Sequence, residues 1–178
     1  MKKCKNCKQP FTPRFSFFEK YCWSENCKFI EAMEKLNQHK ANEKKRIAKK
    51  KKELLTKQDW LKIAQQAFNA YIRERDKGKK CISCDKILIG KFDAGHFYNA
   101  NNHYMLRFDE DNVHGQCVRC NQHLHGNLIE YRNGLIERIG LINLLHLEKQ
   151  AHKTRNFTIE DLKYLSDIYK KTKKIIAK

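Results

Sequence analysis

Between Trp60 and Ile72 the apolar residues return every three or four positions: Trp60, Ile63, Ala64, Ala67, Phe68, Tyr71 and Ile72. That period predicts an amphipathic helix with one face packed on a core. Asp59 is placed to cap it and Gly78 to end it. Further helical patterns cover Leu128 to Ile139 and Leu141 to Lys149, broken at Gly140. Thr158 and Asp161 have the spacing of a capping box, with Asp in place of the usual Glu. They open a last helix whose apolar side is Ile159, Leu162, Leu165 and Ile168. The tail KKTKKIIAK sets cations near its C-terminus, where the helix dipole favours them. Between the helical segments, Lys86–Ile89 and Lys91–Phe97 read as two short strands around Gly90. A polar loop, NANNHY, comes next, then Leu106–Phe108, a turn over Asp109–Asn112, and helix again from Val118. The fold class is α+β, mostly helical.

The first third of the chain reads differently. Both prolines, Pro10 and Pro13, precede residue 14, and all seven glycines lie between Gly78 and Gly140. Residues 14–77 thus contain no helix breaker, and a continuous helix is expected beyond Cys27. Its basic run KKRIAKKKK ends in Lys49, Lys50, Lys51 and Lys52. Such a run forms either a solvated helix or linker, since like charges at i,i+4 repel, or an arm lying along phosphates.

Charge favours the arm. The chain holds 38 Lys+Arg against 20 Asp+Glu, a formal net charge of +18. Residues 1–58 carry 17 basic and 6 acidic groups, 17 − 6 = +11, and residues 59–178 carry 21 and 14, 21 − 14 = +7. The partner expected from this excess is a nucleic-acid backbone, where neutralised phosphates release counterions. An anionic membrane is disfavoured, because no long basic segment carries an aromatic or leucine face. No run of 18 apolar residues occurs, and MKKCKNCK has no apolar signal core, so a soluble, intracellular chain is expected.

Eight cysteines without a secretion signal point to metal rather than disulfides. They form two sets: Cys4, Cys7, Cys22 and Cys27, and Cys81, Cys84, Cys117 and Cys120. Each supplies four thiolates, the preferred environment of structural Zn²⁺. The organisation expected is a zinc knuckle over 1–28, a basic helical linker over 29–58 and a zinc-bracketed domain over 59–178 that ends in helices.

The segment from Asp93 to Asn127 holds more metal-capable groups than one zinc site needs. Hydrolysis of a phosphodiester requires a group to activate water, a cation on the phosphoryl oxygens and stabilisation of the departing 3′ oxygen. A histidine suits the first task, since its pKa lies near working pH. His96 on the second strand, Asn112 in the loop before the second cysteine pair and Asn121 just after it resemble the HNH, or ββα-metal, nuclease motif. The similarity is greatest to the variety in which Cys-x-x-Cys pairs bracket the catalytic strand.

A wider set of segments, CKNCKQPFTPRF, YCWSENC, WLKIAQQAFNAYIRERD, CISC, FDAGHFY, LRFDEDNVHGQCVRCNQH, GNLIEYR and RNFTIEDLK, resembles the NinG (Rap) recombination proteins of lambdoid phages over nearly the whole chain. That resemblance implies a divalent-metal-dependent endonuclease acting on branched double-stranded DNA, such as Holliday junctions and D-loops. Its expected setting is the cytoplasm of a phage-infected or lysogenic bacterial cell. Host recombination proteins are expected as further partners, and two-strand cutting suggests a homodimer.

In the motif's terms His96 is the general base, Asn112 holds the loop and orients the histidine, and Asn121 binds a catalytic Mg²⁺ or Mn²⁺. Many such motifs carry Asp immediately before the histidine, where this chain has Gly95. Asp93 would share a strand face with position 95 and is the candidate substitute. His125, at i+4 from Asn121 on a helix, is a second candidate ligand, and His123 a candidate phosphate contact. His103 and His114 are read as loop groups, with DNA contact open to His114. The competing class is a non-catalytic zinc-containing DNA-binding adaptor. A third, an RNA-binding zinc protein, is disfavoured by the lack of an aromatic platform for single strands.

Overall fold

The computed structural model describes residues 1–177 and divides into two compact units, Met1–Leu55 and Thr56–Lys178. In the first unit, β1 (Lys2–Lys3) pairs antiparallel with β2 (Pro10–Phe11). Helix α1 then runs unbroken from Glu25 to Glu53. Only Cys27 of α1 is buried, so the basic helix is solvated along its length, and Lys49, Lys50, Lys51 and Lys52 are exposed in its last turns. Leading into α1, the Glu19 carboxylate accepts the backbone N–H groups of Arg14 (3.1 Å), Phe15 (2.9 Å) and Ser16 (3.3 Å). The loop it braces leaves Phe15, Phe17 and Phe18 exposed. The expectation of a chain without displayed aromatics is not met there.

The second unit is built on α2 (Lys57–Asp76). Its cap is Thr56 rather than Asp59: Thr56 Oγ1 accepts Asp59 N–H at 3.2 Å, and Asp59 Oδ2 accepts Thr56 N–H at 3.0 Å. Asp59 is therefore the returning half of a capping box. The predicted apolar face holds, with Trp60, Ala64, Ala67, Phe68, Tyr71 and Ile72 all buried. α5 (Ile159–Ile176) packs along α2, with Tyr169 against Phe68 (4.8 Å between ring centroids) and Tyr71 (5.1 Å). The capping box at Thr158 and Asp161 is present. The buried side of α5 is Leu162 and Ser166, with Tyr169 half-buried, while Ile168 faces solvent.

The strands differ from the sequence reading. Lys86–Ile89 is not a strand of a hairpin with 91–97. It folds back on the first cysteine pair through an isolated bridge, Lys80 to Ile87. β3 (Asp93–His96) pairs instead with β4 (Val113–Gln116), in the register Asp93↔Gln116 and His96↔Val113. β4 is buried at all four positions, so it shows none of the polar–apolar alternation that marks a strand in sequence. Gly115 is required in it: a Cβ there would lie 2.5 Å from Leu88 Cδ1 and 2.9 Å from Asp76 Cβ.

The expected helix from Val118 is a five-residue π turn, Arg119–His123. Beyond it His125 and Asn127 take left-handed backbone, φ 49° and 43°. α3 (Leu128–Ile139) and α4 (Leu141–Gln150) follow, hinged at Gly140 as predicted. Tyr131 of α3 joins both strands: its hydroxyl accepts His114 N–H (3.0 Å) and donates to Gly95 O (2.8 Å). Among the described residues no helix is long and apolar enough to cross a membrane.

Candidate metal centres and active site

The two cysteine sets fold into the same local structure. Each first pair is followed by a left-handed residue, Lys8 (φ 61°) or Asp85 (φ 57°). In each, the first cysteine's N–H reaches the carbonyl five residues on: Cys4 to Gln9 at 2.9 Å and Cys81 to Lys86 at 2.8 Å. The N–H of the third cysteine donates to the sulfur of the first, Cys22 to Cys4 at 3.2 Å and Cys117 to Cys81 at 3.3 Å. The fourth lies at a helical turn, Cys27 in α1 and Cys120 in the π turn.

In each set the four sulfurs lie within 4.8 Å of one another. Zinc at 2.3 Å from four tetrahedral thiolates would set them roughly 3.8 Å apart. Cys7 to Cys22 and Cys84 to Cys117 are both 3.7 Å. Either cluster could hold a zinc ion, and N–H donors to sulfur favour the thiolate such an ion requires.

The second cluster brackets β3. His96 stands at the end of that strand, half-buried, with its ring edge-on to Phe68 of α2 (6.5 Å between centroids). Its Nε2 lies 3.2 Å from Arg107 O. A carbonyl only accepts, so Nε2 carries the hydrogen and Nδ1 carries the lone pair in the neutral ring. Burial, the largest influence, holds the imidazole pKa below its ordinary value. The Arg107 charge adds to that, while the Arg107 and Ala94 carbonyls act the other way.

Asn112 is fully buried and satisfied. Its Oδ1 accepts Tyr98 N–H (2.8 Å), and its Nδ2 donates to Tyr98 O and Leu106 O (3.0 Å each). It therefore fixes the loop whose next carbonyl, that of Arg107, holds His96.

Asp93 and Asn121 are brought together: Asn121 Nδ2 donates to Asp93 Oδ2 at 2.9 Å, and Gln122 Nε2 to the same oxygen at 2.8 Å. The acid that many related motifs carry at position 95 would displace Gln116, since a Cβ there would lie 2.4 Å from Gln116 Oε1. No side-chain contact joins His96 to Asp93 or Asn121. Alternation along β3 turns the imidazole and the carboxylate to different faces, with Cα atoms about 10 Å apart.

The shared helical face of Asn121 and His125 does not form. The π turn ends at His123, and Gly126 N–H closes on the carbonyls of Cys120 (2.9 Å) and Asn121 (3.1 Å). His125 and His123 are both exposed. Among the described residues Asp93 belongs to no cluster of three or more His, Cys, Asp or Glu ligands. Asp93 and Asn121 by themselves offer a divalent ion one carboxylate and one amide, a set suited to Mg²⁺ that keeps waters and substrate phosphates.

His114 is not a loop group but a buried residue of β4. It belongs to a polar cluster absent from the sequence reading. The fully buried Asp76 carboxylate accepts from Arg75 (2.9 and 3.0 Å) and from Gly115 N–H (2.7 Å), and Arg75 also reaches Val113 O (2.8 Å) and His114 Nδ1 (3.1 Å). Burial opposes the Asp76 charge, but the bonds from Arg75 and Gly115 hold its pKa down at about 2. Burial and the charges of Arg75 and Arg138 push His114 down to about 3. The cluster ties the end of α2 to β4. His103, by contrast, remains in its loop, with Nδ1 2.8 Å from Ala151 O.

These features define a strongly cationic protein of two cysteine-clustered modules able to hold zinc, the second enclosing a histidine-bearing strand pair. The model of the family described as Bacteriophage Lambda NinG protein matches residues 1–178, and the chain belongs to that family. It is 38% identical to Protein ninG of Escherichia phage 933W over 183 aligned positions, which cover 94% of this chain and 90% of that relative. Over 110 residues it is 48% identical to Protein ninG of Salmonella phage P22 and 46% identical to that of Escherichia phage lambda, covering 62% of this chain and 54% and 53% of theirs. No solved structure matches it.

Proposed function

We propose that this protein is a divalent-metal-dependent endonuclease acting on branched DNA, four-way junctions and D-loops among recombination intermediates. The observation that carries this reading is the state of His96: a half-buried, neutral imidazole fixed through Nε2, with Nδ1 bearing the lone pair. In the reaction a water proton passes to Nδ1, the water oxygen bonds to phosphorus, and the bond to the 3′ oxygen breaks. The Arg107 and Ala94 carbonyls favour the imidazolium that results. Asn112 keeps the Arg107 carbonyl in place. Asp93 and Asn121, on the other face of β3 from the imidazole, offer oxygens for Mg²⁺ or Mn²⁺, which when bound would neutralise phosphate charge. The choice of branched DNA over other nucleic acids rests on the family resemblance and on the +18 charge.

The test is incubation of the zinc-loaded protein with labelled four-way, D-loop and linear DNAs in Mg²⁺, in Mn²⁺ and with no divalent ion added. Cutting of the branched forms that needs the divalent ion is expected. Tight junction binding with no cutting in either ion would instead support the zinc-containing DNA-binding adaptor.

A further inference from the structure

Arg107 sits between Leu106 and Phe108 in an apolar run, and only 6% of its surface is exposed. A guanidinium taken that far from water normally has a carboxylate beside it, because an unpaired buried charge costs several kcal/mol. Arg75, in the same unit, obeys the rule with Asp76 and Glu110. Arg107 does not. One terminal nitrogen donates to Gln65 Oε1 (3.1 Å), the other to Asn101 Oδ1 (2.8 Å), and the Tyr104 ring lies 4.9 Å away. All three partners are neutral, and Nε, wholly buried, has no acceptor at all. Burial lowers the Arg107 pKa, and Tyr104 alone acts in the other direction, so no acid offsets the cost.

The guanidinium lines a surface depression of about 400 Å³ between α2 and the loop that Asn112 fixes. Lys62, Gln65, Gln66, Asn69 and Asn101 share its wall, and none of its lining residues is acidic. The depression thus has two cations, the Asn69 and Asn101 amides, whose oxygens accept from Gln65 (2.8 Å) and Arg107 (2.8 Å) and leave their N–H groups for a ligand, and a charge that lacks its counter-ion.

We infer that this depression is a phosphate-binding site that takes a backbone phosphodiester of the DNA substrate. Arg107 and Lys62 neutralise the phosphate, and the Asn69 and Asn101 amides hydrogen-bond its oxygens. The Arg107 carbonyl also holds His96, so a phosphate seated on the Arg107 side chain is registered against the imidazole through one residue. The identity of the ligand as DNA rests on the endonuclease reading; the binding of phosphate does not.

Two measurements on the full-length, zinc-loaded chain test this. The first is the thermal midpoint in chloride and in inorganic phosphate at matched ionic strength. Phosphate should raise the midpoint of the wild type and leave Arg107→Gln unmoved. In chloride Arg107→Gln should be at least as stable as the wild type, because an unpaired buried charge has gone. The second is the salt dependence of junction binding with no Mg²⁺ or Mn²⁺ added, where no cutting is expected and the zinc stays bound. Arg107→Gln should lower the log–log slope by about 0.9, the loss of one phosphate contact. Lys62→Gln, on the exposed rim, should do the same and keeps the test open if Arg107→Gln fails to fold. An equal phosphate shift in wild type and Arg107→Gln, or an unchanged slope in Lys62→Gln and in any folded Arg107→Gln, would overturn the site. A reduced slope in a protein that cuts nothing in any divalent ion keeps the site and discards the endonuclease reading.

Discussion

As the proposed general base, His96 has to be neutral before the reaction and charged at its transition state, and its surroundings act on both. Burial and Arg107 hold the proton off the resting ring, while two carbonyls receive the imidazolium. Asp93 has a different task, and its pairing with Asn121 lets the two be tested together. Asn121→Ala and Asp93→Ala should each slow cleavage and be partly restored by raising Mg²⁺ or Mn²⁺, since a weakened site still fills by mass action. Titration of the cleavage rate against the ion would show a shifted midpoint; a lowered plateau with an unmoved midpoint would remove both residues from the metal site. His96 and Asn112 were singled out in the sequence because the motif fixes residue type and spacing, and Asp93 only because it shares a strand face with Gly95, where the motif's acid is missing. The geometry around position 125 was not legible there, because a helix was assumed where a π turn and two left-handed residues intervene. Arg107 left a sequence signal that went unread, a cation inside the apolar run Leu106–Phe108.

The two cysteine modules share a hydrogen-bonding scheme but support different amounts of structure. The first closes β1, β2 and the start of α1, while the second clamps the turn before β3 to the turn after β4. Cys117→Ser should therefore release one zinc and melt β3 and β4 together, because metal binding and folding are one process in sites this small. Cys4→Ser should loosen the first unit alone. Metal content and amide exchange on both variants check this, and a wild-type protein purified without zinc would contradict it. Helix positions were read well, since 3.6-residue periods and capping boxes are local signals; α3 matches the predicted Leu128–Ile139. β4 was missed because Val-His-Gly-Gln is buried on both faces and owes its conformation to Asp76, Tyr131 and β3.

At the scale of the molecule, the proposal makes charge govern DNA binding, and the buried polar cluster is expected to govern stability against acid. Neutralising Lys49, Lys50, Lys51 and Lys52 should weaken binding to every DNA form and reduce the salt slope by roughly 0.9 per lost phosphate contact. An unchanged slope would leave the run as a solvated helix face. For acid stability the sign follows from His114, whose folded pKa of about 3 lies below its ordinary 6.5. The unfolded chain takes that proton first, so stability falls as pH drops from about 6.5 towards 3, by up to about 1.4 kcal/mol per pH unit for this group. His96 adds to the same trend. Asp76, held at about 2, keeps its contribution until the pH falls below its ordinary 3.8. Thermal midpoints between pH 7 and 4 should decline in the wild type and decline less in His114→Gln. Equal slopes would mean that another group controls the loss.

Single-turnover cleavage of a labelled four-way junction by wild type and His96→Ala, with affinity measured on the same samples before Mg²⁺ or Mn²⁺ is added, tests the assignment of His96 as general base. The change should cut the rate by about 10²–10⁴-fold, the share a positioned base contributes, and leave affinity nearly as it was. Raising the divalent ion should not restore it, in contrast to Asn121→Ala. A His96→Ala protein that cuts junctions at the wild-type rate would contradict the assignment.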